Sequence, residues 1–246
     1  MDNIAPEEPL NEITFTDTLR DILSNSNLPQ SISNRILSNI ASNPGFILEL
    51  FAIMQEDPYL WILVDKEHAL PEGYEPDDLV RLTGRGSYRI NRNDLSLRYI
   101  AEYSLEEMAA AARNDGLTLV ASSSYRSFDY QAQVYQRNVN LYGREAADRE
   151  SARPGHSQHQ LGMVVDFGSI TDAFASTPEG IWLANNASRF GWSLSYPDGY
   201  EEVTGYKWES WHYRYVGRDL AEFIDTYFNG IQQYALRFLH EWNKHN

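Results

Sequence analysis

Two apolar runs in the second half of this chain each carry ionisable groups that an apolar interior rejects, and that pairing limits the folds open to it. The first, Leu161-Gly-Met-Val-Val-Asp166-Phe167, reads as a buried strand ending near a carboxylate. Its period of two separates Val164 and Asp166 from Val165 and Phe167. An ionised aspartate on a buried strand is costly unless it is paired or metal-bound. His159 stands just upstream, in a loop bounded by Gly155 and Gly162. Taken alone, this run reads as a salt-bridged or helix-capping aspartate beside an incidental histidine.

The second run, Glu209-Ser-Trp211-His212-Tyr-Arg214-Tyr-Val-Gly217, changes that. Alternation places Trp211, Tyr213 and Tyr215 on one face and His212 and Arg214 on the other. Glu209 and His212 are three apart, so an unbroken strand points them to opposite faces. Both reach one site only if Glu209 sits at the strand entrance, in a turn or at a bulge. One imidazole and one carboxylate from each run make a His/Asp/His set with a spare glutamate. That composition matches a three-ligand catalytic zinc site, with water in the fourth position and a carboxylate as base. The chain has no cysteine, so disulfides, thiol nucleophiles and thiolate metal sites are excluded.

Around these runs the sequence alternates helices and short strands without a βαβ rhythm. We expect an α+β fold, with an antiparallel central sheet flanked by helices and an N-terminal helical extension. Residues 1–12 read as a loose acidic tail. Two amphipathic helices are expected between Thr16 and Ile40 around Pro29, a third from about Gly45 to Gln55, and a short strand at Trp61–Val64. Ser104-Leu-Glu-Glu107 reads as a capping box opening a helix that Asp115-Gly116 closes. Leu117–Ser122 is β-rich, Ser127 caps a long helix ended by Gly143, and Thr177-Pro178 caps another reaching Phe190. Gly191–Tyr196 and Lys207–Val216 should pair as antiparallel strands around the Pro197-Asp198-Gly199 turn. Helices 218–229 and 231–243 close the chain. The division expected is an acidic extension over 1–57 and a functional domain over 58–246.

Charge excludes some partners. The formal net charge is −15, and residues 1–80 hold 15 acids against three bases. A chain this acidic, with no basic stripe, is not a nucleic-acid binder, and the N-terminal acids read as a solvated helical surface. No stretch approaches the roughly 18 apolar residues of a membrane span. The longest candidate, Phe46 to Val64, is interrupted by Glu49, Gln55, Glu56, Asp57 and Pro58. The first residues are acidic and polar, so no signal peptide is expected in the sequence as given.

The residues now carry a resemblance. Ser157-x-His159-x-x-Gly162-x-x-x-Asp166, together with Glu209-x-Trp211-His212, resembles the signature of bacterial VanY-type D-alanyl-D-alanine carboxypeptidases. These zinc peptidases share a fold with L,D-carboxypeptidases and, more distantly, with the hedgehog signalling domain. Ser124-Tyr125-Arg126-Ser127-Phe-Asp-Tyr-Gln131 is similar to a third family motif, and Thr204-Gly-Tyr206 to the stretch leading into the last. The likeness spans roughly residues 58–217, with Trp61–Leu79 resembling the usual lead-in. Val164 stands where a small residue is usual, and Ser210 where proline is usual.

The resemblance implies that His159, Asp166 and His212 bind one zinc per chain and that Glu209 is the catalytic base. It places Arg126, Gln131, Ser157, Tyr125 and Trp211 at the substrate, with Arg126 holding either the oxyanion or a substrate carboxylate. Trp208, Trp211 and Tyr206 are candidates for a wall of the cleft. His156 is read as a loop residue, His68, His240 and His245 as solvated, and Trp182 and Trp192 as core. The implied activity is D,D-specific removal of the C-terminal D-alanine from peptidoglycan stem peptides. L,D-carboxypeptidase, endopeptidase and non-catalytic binding-module readings stand as alternatives. A free Glu209 beside the metal favours catalysis, since a structural zinc site has no use for it. The substrate implies the cell envelope or periplasm, with cytoplasmic action on precursors as the alternative.

Overall fold

The computed structural model describes residues 12–26, 28–71 and 73–245. Three helices open it: α1 (Glu12–Asn25), α2 (Gln30–Ser42) and α3 (Phe46–Ile53). The expected acidic tail lies outside the described residues, except for Glu12, which begins α1. Then come β1 (Leu79–Arg81), β2 (Arg89–Ile90), β3 (Ser96–Arg98), α4 (Tyr99–Asn114), β4 (Val120–Ser123), α5 (Phe128–Tyr142) and α6 (Arg144–Glu150). The second half follows with β5 (Val164–Phe167), α7 (Pro178–Asn186), β6 (Trp192–Leu194), α8 (Glu201–Thr204), β7 (His212–Tyr215), α9 (Arg218–Phe228) and α10 (Gln232–His245). No helix among the described residues is long and apolar enough to cross a membrane.

The central sheet has the order β2-β4-β5-β7-β6, and β1 pairs with β3 in a separate ribbon. All central pairings are antiparallel except the edge pair β2–β4, which is parallel. The expectation of an antiparallel sheet therefore holds for its body and fails at that edge. Trp192 and Tyr213 each pack edge-on against Phe167 in the buried core. α9 buries Leu220, Ala221, Phe223, Ile224, Tyr227 and Phe228, a helical stripe of three- and four-residue steps. Phe46 of α3 meets Phe223, Tyr227 and Phe228, and Phe15 of α1 meets Trp242 of α10. One continuous apolar core results, from Phe15 to Trp242.

Three local expectations need correction. Trp61–Val64 is not a strand. A 3-10 turn over Pro58–Trp61 is capped by Asp57, and the carbonyls of Leu60 and Ile62 accept from the Arg214 Nη2 at 3.0 and 2.9 Å. The buried guanidinium thus satisfies carbonyls that a strand would have offered to a neighbour. The strand expected from Leu161 begins only at Val164, because 158–161 form a 3-10 turn. The helix expected to open at Ser104 begins at Tyr99. Ala101, Ser104, Leu105, Met108 and Ala112 form one buried stripe, so packing extends the helix a turn past its local cap signal. Ser104 instead donates its hydroxyl to the Phe190 carbonyl and accepts from the Trp192 Nε1 at 2.9 Å.

Ser104→Ala leaves the Trp192 indole N–H and the Phe190 carbonyl without this partner in a dry interior. We expect about 1–3 kcal/mol of lost stability in urea unfolding at an unchanged m-value. A loss under about 0.5 kcal/mol would show that the hydroxyl is dispensable there.

Candidate active site

Cross-strand register builds the site. Asp166 on β5 lies opposite Ser123 of β4 on one side and His212 of β7 on the other. Directly opposed residues share a face of the sheet, so the carboxylate and the imidazole meet without any loop holding them. His159 arrives from the 3-10 turn before β5, and Gly162 turns the chain back so that this imidazole lies over the strand. Gly162 has φ 69°, and a Cβ there would come within 2.9 Å of Leu79 and 3.2 Å of Pro76, so both conformation and space demand glycine. Glu209 resolves the parity problem as expected. It lies in a turn before β7, with the His212 N–H donating to its carbonyl and its own N–H to Tyr196.

His159 Nε2 lies 3.2 Å from Asp166 Oδ2, and His212 Nδ1 lies 3.1 Å from Asp166 Oδ1 and 3.2 Å from Glu209 Oε2. One atom from each of His159, Asp166 and His212 falls within 4.8 Å of the others. The outer nitrogens fix the tautomers. His159 Nδ1 donates to the Ser124 carbonyl at 2.7 Å, and His212 Nε2 faces Gln158 Oε1 at 3.3 Å. Both oxygens only accept, so each outer nitrogen carries a proton and the inner nitrogens are the ones free to present lone pairs to a cation. Asp166 Oδ1 is buried and makes no hydrogen bond. Lone pairs converging around a buried carboxylate oxygen suit a cation, and His/Asp/His is a zinc donor set.

The electrostatics follow burial and charge. Burial pushes His159 down to about 4, keeping it neutral as a ligand must be. Burial works against charge on His212 too, but the carboxylates of Asp166 and Glu209 beside its Nδ1 favour a proton there and push it up to about 9, so a bound cation has to displace that proton. Burial likewise opposes the Asp166 charge, and the two imidazoles overcome it, holding that carboxyl far below its usual range. Burial pushes the Glu209 carboxyl up, against the neighbouring His212, which holds it down.

A cavity of about 430 Å³ opens over this cluster, and its walls include Arg126, Gln131, Ser157, Trp208, Glu209 and Trp211. Arg126 donates to Gln131 Oε1 at 2.7 Å and Ser123 Oγ at 3.2 Å. Gln131 also donates to the Ala152 carbonyl at 2.6 Å, so its amide is committed to holding the guanidinium. Tyr125 is not brought in: its hydroxyl meets Glu75 and it does not line the cavity. Trp208, Trp211 and Tyr206 all do. His68 and His240, expected to be solvated, are half-buried and face each other at 4.6 Å, while the His245 side chain lies outside the described residues.

Sequence reasoning missed Tyr196 and Gln158. The Tyr196 ring lies 4.7 Å from His212 and 5.0 Å from Tyr206. It follows β6, where strand alternation has ended and no motif flags it. Gln158, between Ser157 and His159, accepts from Ser195 at 2.8 Å as well as facing His212. Ser195 Oγ is also 3.4 Å from Gln232 Oε1, and the neighbouring Gln233 donates to Asp65, whose carbonyl accepts from His156. The start of α10 thus braces the loop that carries His159 at two points.

A family model described as VanY D-alanyl-D-alanine carboxypeptidase matches residues 94–218. The D-alanyl-D-alanine carboxypeptidase of Enterococcus faecalis is 32% identical over 197 residues, covering 75% of this chain and 69% of that one. Among solved structures, the LD-carboxypeptidase LdcB is 34% identical with a TM-score of 0.66, covering 74% of this chain and 87% of LdcB. The vancomycin-resistance D,D-pentapeptidase VanY, solved as a mutant in complex with Zn(II), is 30% identical with a TM-score of 0.61, covering 73% of this chain and 99% of that one. Sheet register, ligand set and sequence converge, and this chain belongs to the VanY D-alanyl-D-alanine carboxypeptidase family.

Proposed function

We propose that the protein is a zinc-dependent D,D-carboxypeptidase that removes the C-terminal D-alanine from peptidoglycan stem peptides, with His159, Asp166 and His212 as ligands. The observation that carries this reading is the placement of Glu209. Its side chain is 17% exposed, facing the cavity, where Asp166 and His212 are 5% exposed each. A carboxylate beside the ligands, open to the cleft and raised by burial, is suited to moving protons rather than to closing a structural site. Zinc, when bound, supplies a Lewis acid that polarises the scissile carbonyl. Glu209 takes the proton of the attacking water and passes it to the departing amine nitrogen as the C–N bond breaks. Arg126 is held in place by Gln131 and Ser123, and its fixed charge stabilises either the developing oxyanion or the substrate's terminal carboxylate. Ser157 stands on the same wall and is suited to hold that terminus, while Trp208, Trp211 and Tyr206 flank the peptide. A cell-wall substrate implies action outside the cytoplasmic membrane.

Three outcomes test these assignments. Purified protein should hold about one zinc per chain, and Ala at His159, Asp166 or His212 should remove stoichiometric metal together with turnover; full occupancy in His212→Ala would overturn the ligand set. Glu209→Ala should keep fold and zinc while losing roughly two to four orders of magnitude in kcat. Loss of the metal itself would make Glu209 a ligand. Amidating the C-terminus of a D-Ala-D-Ala substrate should lower kcat/KM at least about tenfold, since charge-assisted bonds to a carboxylate contribute roughly 1.5–3 kcal/mol. Equal rates on acid and amide would point to an endopeptidase. D-Alanine release from a tetrapeptide in preference to a pentapeptide would move the assignment to L,D-carboxypeptidase.

A further inference from the structure

Beside the catalytic cavity lies a second one of about 210 Å³, walled by Lys66, Asp148, Ser151, Arg153, His156 and Tyr206. It shares Ser151 and Tyr206 with the first, so the two recesses are adjoining rooms of one cleft. Its charges are unevenly matched. Asp148 is fully engaged: Arg153 binds both its oxygens at 3.1 and 2.9 Å, and Tyr135 donates to it at 2.7 Å. Glu201, the other acid whose field reaches Lys66, is bound by Arg149 through two bonds. Lys66 is left over. Among the described residues no carboxylate pairs with its ammonium, which lies 4.8 Å from the centre of the Tyr206 ring.

Lys66 is also held in place. Its stem lies across Gly205, where a Cβ would come within 3.0 Å of the lysine Cδ. Gly205 has φ 81°, so the backbone that opens this trough also excludes other residues. Lys66 stays open to solvent; partial burial lowers its affinity for its proton, and the fields of Asp148 and Glu201 oppose that without forming an ion pair. A solvent-reachable cation, positioned against Tyr206 and Gly205 and without a carboxylate of its own, is a receptor for an anion. In a chain of net charge −15 that is a local exception to the surrounding field.

We propose that this side recess binds a second carboxylate of the substrate, one carried by a residue upstream of the scissile bond. The inference rests on the carboxypeptidase reading and assigns to the same cleft a recognition element away from the metal. Spacing sets which residue it reads. His212, Tyr196, Tyr206 and Lys66 follow one another at 4.7, 5.0 and 4.8 Å. That path spans at most about four residues of extended peptide, at roughly 3.3 Å each. The carboxylate therefore belongs to a residue two to four positions before the cut, within the length of a stem peptide. Tyr196 and Tyr206, both buried, form the cavity wall between the two sites.

The test uses the zinc-loaded full chain and peptides ending in D-Ala-D-Ala. Each carries, at the second, third or fourth position before the cut, either a free side carboxylate or its carboxamide. Wild type should favour the acid at one of these positions by about tenfold in kcat/KM, chiefly through KM. In Lys66→Gln the acid-to-amide ratio should fall to near one, and in Lys66→Glu it should invert. Because the ratio is taken within each variant, partial loss of folded protein does not affect it. Calorimetric binding of the shortened product peptides gives the same comparison without turnover, so an inactive preparation leaves the recess testable while counting against the carboxypeptidase reading. Equal handling of acid and amide at all three positions, or a preference unchanged in Lys66→Gln, would overturn the proposal.

Discussion

A carboxylate buried in the middle of a β-sheet is expensive, and the architecture around Asp166 answers that expense at every level. Its strand is central, with β4 on one side and β7 on the other, so water cannot reach it from a sheet edge. Its compensation comes from two imidazoles, one delivered by strand register and one by a glycine-dependent turn. Removing either imidazole leaves a buried charge short of a partner, a loss worth several kcal/mol in typical cases. The site and the fold are therefore not separable: the register that aligns β5 with β7 is the register that assembles the ligands.

The chemistry was more legible in the sequence than the architecture. His159, Asp166, Glu209 and His212 stand in two short runs whose donor types matched a metal site, and the resemblance to the VanY motifs supplied their roles. The parity argument for Glu209 needed only counting. Features decided by long-range packing escaped. Ser104 carries a sound capping signal, yet the helix runs past it because Ala101 finds a buried place one turn earlier. Trp61–Val64 has strand composition, but Arg214, some 150 residues away, takes its carbonyls. Tyr196 and Gln158 had no signal for the same reason: their roles come from a register and a turn that no local pattern encodes. Tyr125 shows the converse, a residue inside a recognisable motif whose side chain turns toward Glu75 instead of the cleft.

The arginines divide the labour that a catalytic cleft in an acidic protein requires. Arg126 faces the cavity with its donors fixed by Gln131 and Ser123, an arrangement that spends little entropy when a substrate oxygen arrives. Arg214, on the same face of β7 as His212, is wholly buried and anchors the 60–62 segment beneath the site. Arg149 and Arg153 neutralise acids at the rim. Position, more than residue type, separates the four.

The brace between α10 and the histidine-bearing loop couples the end of the chain to its metal chemistry. Gln232 and Gln233 are buried at the first turn of α10, and through Ser195, Gln158 and Asp65 they reach the outer nitrogens of His212 and His156. A helix end that frays opens such contacts, and a ligand that orders the loop closes them. By linkage, metal binding then slows amide hydrogen exchange in the C-terminal helix, far along the chain from any ligand atom. That helix lies beyond the segment matched by the family model. The site's histidines thus depend for their orientation on a helix that supplies none of the ligands.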